Sequence, residues 1–177
     1  GTDLAYAPAP HTLYTTHPDV VRGAVRAARK EGVRSSIHLG EHPAEREFLE
    51  HGTGGVVRFA ESIGASLEGF PVPRRSPVAF ADELEILGPD VILVHLTTTT
   101  RQELDLVAER RAPVVLCPRS NLMIEVRLPP VADVLAAGIL PALGTDSLAS
   151  NSTLDVLAEA KAIAERYPTV PAATLLA

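Results

Sequence analysis

The chain has 177 residues, of which 46% are hydrophobic and 21% charged, so it is suited to one folded domain and bulk disorder is excluded. A net charge of −6, with no long basic run, argues against DNA or RNA as a partner. No apolar stretch approaches the roughly 20 residues that cross a bilayer, and no signal peptide is visible. The single cysteine, Cys117, cannot form an internal disulfide, which makes the cytoplasm the default location.

Short apolar runs along the chain predict five β-strands. The first is restricted by Pro8 and Pro10, so we expect it to be short or irregular. The third is continuously apolar, as is typical of a strand buried on both faces. The predicted strands are residues 4–7, 33–39, 91–96, 113–117 and 139–143.

Helical patterns lie between these runs. Capping-box pairs predict three helix starts, at Thr16 with Asp19, at Thr100 with Glu103 and at Ser152 with Asp155. A Pro- and Gly-rich stretch at 66–77 predicts a loop. The predicted helices run from Thr16 to Gly32, over 43–63 with a glycine break at 52–55, over 78–87, from Thr100 to about 111, over 128–137, and from Ser152 to about 166.

The repeated β-α order predicts a parallel α/β fold, and the scarcity of aromatic residues (4%) favours aliphatic strands covered by helices. The pattern alone leaves open a flavodoxin-like sheet or part of a (β/α)8 barrel. A complete barrel needs typically about 250 residues, so this chain holds a little over half of one.

Residues capable of chemistry follow the predicted strands. Ligands of parallel α/β folds bind at the carboxyl ends of strands, so this placement predicts an active site there. The residues are His11, His38, Glu41, His95, Asp146 and the run Arg119, Ser120 and Asn121.

The segment His38-Leu39-Gly40-Glu41 carries the sharpest signal. An imidazole can bind a divalent metal, and a nearby carboxylate can move protons to and from an attacking water. Each residue also has an ordinary interpretation: a solvated loop for His38 and Glu41, a hydrogen-bonded core histidine for His95, and a turn for Asp146. We expect Cys117 to be a packed small hydrophobe.

Other histidines and motifs carry no predicted chemistry. His17, His42 and His51 lie in cap or helix contexts and are interpreted as surface residues. The sequence contains no Gly-rich phosphate loop, no Gly-x-Ser-x-Gly elbow and no Pro-Cys-x-x-Cys of nucleoside-type zinc deaminases.

Taken in order, several stretches resemble the amidohydrolase superfamily, in its cytosine-deaminase-like and chlorohydrolase-like branch. The two most specific are Cys117-Pro118-Arg119-Ser120-Asn121 and the stretch 143–151, which contains Gly144-Thr145-Asp146-Ser147. The others are 9–15, 37–41 and 94–95. The branch includes S-adenosylhomocysteine, guanine and aminofutalosine deaminases, and the chain is most similar to the last of these.

The resemblance implies a partial (β/α)8 barrel, with residues 1–177 supplying strands four to eight. It implies that His38 and Asp146 bind one zinc or iron ion and that His95 hydrogen-bonds the attacking water. It further implies that Glu41 passes a proton to a leaving amine and that Asp146 accepts a proton from the water. A small heterocyclic substrate, an amino-purine nucleoside or a relative, would contact His11, Arg119, Ser120, Asn121 and Ser147.

The sequence also departs from the family pattern. The His-x-His pair of strand one, strands one to three and the flanking β-sandwich are all absent from it. Two protein ligands hold zinc poorly, so we expect the rest of the barrel to come from a longer chain, with a homo-oligomer as a further possibility. The alternatives are a chlorohydrolase or other C–N hydrolase of the same branch, and a non-catalytic half-barrel.

Overall fold

The computed structural model describes residues 6–175, and within that range the chain forms four strands and nine helices. The strands are β1 (Ser35–Leu39), β2 (Val91–His95), β3 (Val114–Leu116) and β4 (Ala142–Leu143). The helices are α1 (Pro18–Lys30), α2 (Pro43–His51), α3 (Gly55–Ser62), α4 (Pro77–Glu83), α5 (Arg101–Glu109), α6 (Pro118–Glu125), α7 (Val131–Ala136), α8 (Val156–Arg166) and α9 (Ala172–Leu175).

The four strands form one parallel sheet in the order β1-β2-β3-β4. Each strand therefore lies beside the next one along the chain. A flavodoxin-like sheet would reverse direction at a switch point, whereas a (β/α)8 barrel adds its strands one after another. The fold is α/β, and its strand order is that of a partial barrel.

The predicted first strand, 4–7, falls partly on residues 4 and 5, which lie outside the described residues. Tyr6 and Ala7 form no strand. The segment that follows still runs beside β1: the Pro8 carbonyl accepts from Ser35 Oγ, and the His11 carbonyl accepts from the His38 backbone N–H. Since Pro8 and Pro10 lack an N–H, this segment cannot build a regular ladder.

Two predicted helix caps are wrong by one or a few residues. The first helix is capped by His17, whose Nδ1 accepts from the Asp19 N–H, rather than by Thr16. The last long helix is capped by Asp155 rather than Ser152, because Asp155 Oδ1 lies within reach of two backbone N–H groups. The capping box of Thr100 and Glu103 is confirmed with both of its hydrogen bonds.

Helix α6 was not predicted from the sequence. Its first residues are polar, its apolar residues Leu122 and Met123 are exposed, and it therefore shows no apolar face. Pro118 at its first position was the available signal, because proline suits the first turn of a helix.

The core lies between the sheet and its helices. Leu39 and Leu93 of the sheet are fully buried, as are Val21 and Val25 of α1. Cys117 is buried as predicted, and burial raises the pKa of its thiol to about 12. Among residues 6–175, no helix combines the length and apolar character that crossing a membrane requires.

Candidate active site

Six of the nine predicted site residues line one cavity of about 270 Å³ at the carboxyl ends of the strands. His38 belongs to β1, His95 ends β2, and Glu41 and Asp146 lie in the loops after β1 and β4. The cavity is lined by His11, His38, Glu41, His95, Ile124, Asp146, Ser147 and Ser150. His38, Glu41, His95 and Asp146 therefore lie together, as their positions after the predicted strands indicated.

Two site residues have a left-handed backbone that side chains other than glycine rarely adopt. The φ angle is +83° at His95 and +55° at Asp146. Such conformations cost on the order of 1–3 kcal/mol each and are concentrated at functional sites. At His95 the chain leaves the extended conformation of β2, and its ring centroid lies 5.1 Å from that of His38.

The Glu41 carboxylate faces both His95 and Asp146. Glu41 Oε1 lies 3.6 Å from His95 Nε2, and Asp146 Oδ2 lies 4.0 Å from the same nitrogen. One donor atom from each of the three residues lies within 4.8 Å of the others. Burial first, and then the carboxylates of Asp146 and Glu125, raise the pKa of Glu41 to about 7. A group with that pKa can take and return a proton near neutral pH.

The hydrogen bond from Asn121 decides the role of His95. The His95 side chain is fully buried, and burial lowers its pKa to about 4, so the ring is neutral. Asn121 Nδ2 lies 3.2 Å from His95 Nδ1 and donates to it, which places the ring proton on Nε2. Among the described residues Nε2 has no hydrogen-bond partner. His95 thus presents a buried N–H to the cavity, suited to an oxygen of water or substrate.

His38 has the opposite arrangement. Its Nδ1 lies 3.3 Å from the His11 carbonyl oxygen, which can only accept, so Nδ1 carries the proton. In the neutral ring, Nε2 then carries a lone pair that can bind a cation. A backbone carbonyl on the other ring nitrogen is the usual partner of a metal-binding histidine.

Asp146 is held as an anion by two hydroxyl groups. Ser120 Oγ lies 2.7 Å and Ser150 Oγ 2.9 Å from Asp146 Oδ2, and both donate to it. Partial burial works to raise the pKa of Asp146, but these hydrogen bonds, together with His95 and the Ser147 backbone N–H, keep the pKa below its ordinary value. Asp146 is therefore better suited than Glu41 to be a metal ligand with a permanent negative charge.

The predicted pocket residues divide into three groups. His11 and Ser147 line the cavity with the reactive residues. Ser120 and Asn121 are fully buried and contact Asp146 and His95. The Arg119 guanidinium donates to Ser152 and Thr153, away from the residues that line the cavity.

Glu45, which was not predicted as a site residue, holds the Glu41 loop. Gly40 turns the chain with φ of +61°, and a Cβ there would lie 2.9 Å from Thr99 Oγ1. The buried Glu45 carboxylate then accepts the backbone N–H groups of Gly40 and Glu41. The signal in the sequence was a Glu at the third position of a helix, three residues after its cap, His42.

Replacing Glu45 with Ala is expected to destabilise the full-length protein by about 2–4 kcal/mol, because one buried and one partly buried N–H group lose their acceptor. Burial raises the Glu45 pKa to about 7, although the two backbone bonds oppose it. The folded state therefore keeps a proton that the unfolded state loses near its ordinary pKa of about 4.5. Protonated Glu45 therefore contributes its full stabilisation of the folded state below pH 4.5, and this contribution is lost as the pH rises towards 7.

Urea unfolding between pH 4 and 8 measures both effects. The Glu45→Ala curve should be flatter than the wild-type curve across this range. Glu50→Ala, on the same helix, is the matched control and should cost less than about 1 kcal/mol at pH 7, since Glu50 forms a partly exposed pair with Arg46. Equal losses in the two variants would contradict the role given to Glu45.

Comparison with known proteins gives a consistent result. The family model described as "Amidohydrolase family" matches residues 4–174. An aminodeoxyfutalosine deaminase of Deinococcus radiodurans is 34% identical over 165 residues, which are 90% of this chain and 40% of that protein. A 5-methylthioadenosine/S-adenosylhomocysteine deaminase of Aquifex aeolicus is 31% identical, over 88% of this chain and 32% of that protein. The chain thus spans well under half the length of these relatives.

Solved structures agree with this. A Xanthomonas campestris adenosine deaminase with bound zinc has a TM-score of 0.70 and 28% identity, over 90% of this chain and 32% of that one. The Helicobacter pylori aminofutalosine deaminase, at 22% identity, has a TM-score of 0.82 over 96% of this chain and 41% of that one, a likeness of fold. The match over residues 4–174, together with the strand-end site, shows that this chain belongs to the amidohydrolase family.

Proposed function

We propose that the protein is a metal-dependent hydrolase that removes an amino group from a purine nucleoside or a related heterocycle. Water replaces the amino group on a ring carbon, and the products are a ring carbonyl and ammonia. The observation that carries the proposal is the cluster of Glu41, His95 and Asp146 beside His38. In this cluster Glu41 can exchange a proton near neutral pH, His95 presents an N–H, and Asp146 is ionised. The deaminase names of the relatives support this reaction.

His38 and Asp146 offer donor atoms whose chemistry suits a divalent cation. His38 offers the free lone pair of Nε2, and Asp146 offers an ionised carboxylate fixed by two hydroxyl groups. His95 is not suited to be a ligand, because its Nε2 carries the proton. Zinc is the proposed metal, with iron as the alternative, and when bound it supplies Lewis acidity where water attacks.

The residues of this chain then move the proton. Glu41 removes it from the attacking water and delivers it to the leaving amine, as its pKa of about 7 permits. The His95 N–H donates to the oxygen that attacks and stabilises the charge that develops on it. Ser120 and Asn121 position Asp146 and His95, while His11 and Ser147 lie where the substrate would contact the cavity wall.

Further ligands of the cation and further walls of the catalytic cavity would come from polypeptide outside these 177 residues. β4 has β3 as its one strand neighbour in the described sheet, and the edge of a parallel sheet is normally covered. Exposed apolar side chains nearby, such as Leu148, Leu154 and Leu157, favour a packed neighbour. We assign this neighbour to the rest of the barrel. A homo-oligomer and a cytoplasmic location stay predictions.

Metal analysis and product release in the full-length protein test the proposal. We expect close to one equivalent of zinc or iron, and ammonia from adenosine or 5′-methylthioadenosine. Less than about 0.1 equivalents of metal together with no ammonia would contradict it.

A chlorohydrolase of the same branch is the second candidate. Glu41 argues against it, because an amine needs a proton in order to leave and chloride does not. Assaying ammonia and chloride release over one substrate panel separates the two reactions.

A further inference from the structure

The Glu159 carboxylate is fully buried in the first turn of α8, and the proposed reaction does not use it. A buried carboxylate is costly unless hydrogen-bond donors satisfy it. Glu159 Oε2 accepts from the Arg119 backbone N–H at 2.9 Å, and Glu159 Oε1 accepts from Asn151 Nδ2 at 2.6 Å. Each oxygen therefore has its own donor, and the two donors belong to different segments of the chain.

The first of these donors lies at the start of α6. Backbone N–H groups in the first turn of a helix lack a carbonyl partner within that helix, so the Arg119 N–H depends on an acceptor from elsewhere. Glu159 supplies that acceptor and fixes the position at which α6 begins. The next residue, Ser120, donates to Asp146 Oδ2 at 2.7 Å. The contact with Glu159 is thus one residue away from a hydrogen bond of the candidate active site.

The second donor belongs to the loop of residues 144–155, which joins β4 to α8 and carries Asp146. Asn151 Nδ2 has two hydrogens: one bonds Glu159, and the other bonds the Thr145 carbonyl oxygen at 2.9 Å. A carbonyl oxygen can only accept, so the nitrogen of Asn151 faces Thr145. The Thr145 carbonyl belongs to the peptide unit directly before Asp146, whose φ is +55°. Fixing this peptide plane helps to hold Asp146 in its strained, left-handed conformation.

We propose that Glu159 is a positioning residue for Asp146. It fixes the start of α6 directly and the Asp146 loop through Asn151, so that the Ser120 hydroxyl and the Asp146 carboxylate meet. Glu159 does not line the catalytic cavity, and it acts through these contacts. This assignment rests on the proposed function, since it takes Asp146 to be a ligand of the cation.

Glu159→Gln in the full-length protein tests the assignment. Gln has the same size, but an NH2 group replaces one oxygen and must face either the Arg119 N–H or the Asn151 amide nitrogen. Asn151 could restore a bond to this NH2 group only by turning its oxygen to it, which removes its nitrogen from Thr145. We expect zinc added to the metal-free protein to bind about 10-fold more weakly, as when a partner of a metal ligand is lost. The amides of residues 144–151 should exchange hydrogen about 10-fold faster.

Two further variants separate positioning from a general loss of stability. Asn151→Ser acts on the same contacts more mildly, because a hydroxyl donates one hydrogen bond where the Asn151 amide donates two. It should weaken zinc binding by about 3–10-fold. Ile163→Val is the matched control, since it removes one methylene group from a fully buried side chain of the same helix. It should lower the urea midpoint but keep the zinc dissociation constant within about 2-fold.

Zinc binding and loop exchange at wild-type values in Glu159→Gln and Asn151→Ser would overturn the assignment. So would an equal loss of zinc affinity in Ile163→Val, because Glu159 would then contribute to stability alone. If Glu159→Gln does not fold, Asn151→Ser decides between these results. If the wild-type protein binds no zinc and releases no ammonia, the proposed function fails. The exchange of residues 144–151 in Glu159→Gln and Ile163→Val still decides whether Glu159 holds the Asp146 loop.

Discussion

Replacing Glu41 with Gln in the full-length protein is expected to reduce ammonia release by about 10²–10⁴-fold. Gln keeps the size of the side chain but can neither take a proton from water nor return one to the amine. Since Glu41 is not one of the proposed cation ligands, the metal content should stay at the wild-type value. Ammonia release and elemental analysis on the same preparations measure the two quantities.

Glu125→Gln is the matched control for this substitution. Glu125 is close enough to raise the Glu41 pKa, yet it does not line the catalytic cavity. Its amide variant should keep the rate within about 3-fold, because it changes the field at Glu41 and not the group that moves the proton. A Glu41→Gln protein with wild-type activity would exclude the proton-transfer role.

Replacing His38 with Gln is expected to remove the metal as well as the activity. Loss of a direct ligand should weaken metal binding by more than the roughly 10–100-fold that loss of a partner in the outer shell causes. His95→Gln should lose activity to a similar degree but keep the metal, because His95 Nε2 carries a proton and faces the oxygen that attacks. Metal titration of the two variants measures the difference.

The opposite outcome would place the cation at a different set of ligands. If His95→Gln loses the metal and His38→Gln keeps it, then Glu41, His95 and Asp146 form the cation site themselves. Their donor atoms are close enough for that arrangement. The tautomer assigned to His95 from Asn121 would then be wrong.

The strand-end residues show what the sequence could predict. Parallel strands carry their carboxyl ends to one edge, so a polar residue after a buried apolar run lies near the others whatever the details of packing. His38, His95 and Asp146 were found in this way, and the cavity contains all three. Their family roles came from the resemblance and stay predictions.

The remaining features depend on side-chain orientations and contacts that the sequence pattern does not specify. The position of the first cap depends on whether Thr16 or His17 turns towards the helix, and both carry suitable acceptors. The proton positions of His38 and His95 are set by a carbonyl 27 residues away and an amide 26 residues away. Glu45 looks like an ordinary helix residue until the fold brings two loop N–H groups to it.

A zinc-edge anomalous difference map of the metal-loaded, full-length protein tests the cation assignment most directly. We expect one peak at about 2.0–2.2 Å from both His38 Nε2 and an Asp146 carboxylate oxygen, with His95 Nε2 outside bonding distance. A peak bonded to His95 Nε2 and not to His38, or no peak between His38 and Asp146, would contradict it.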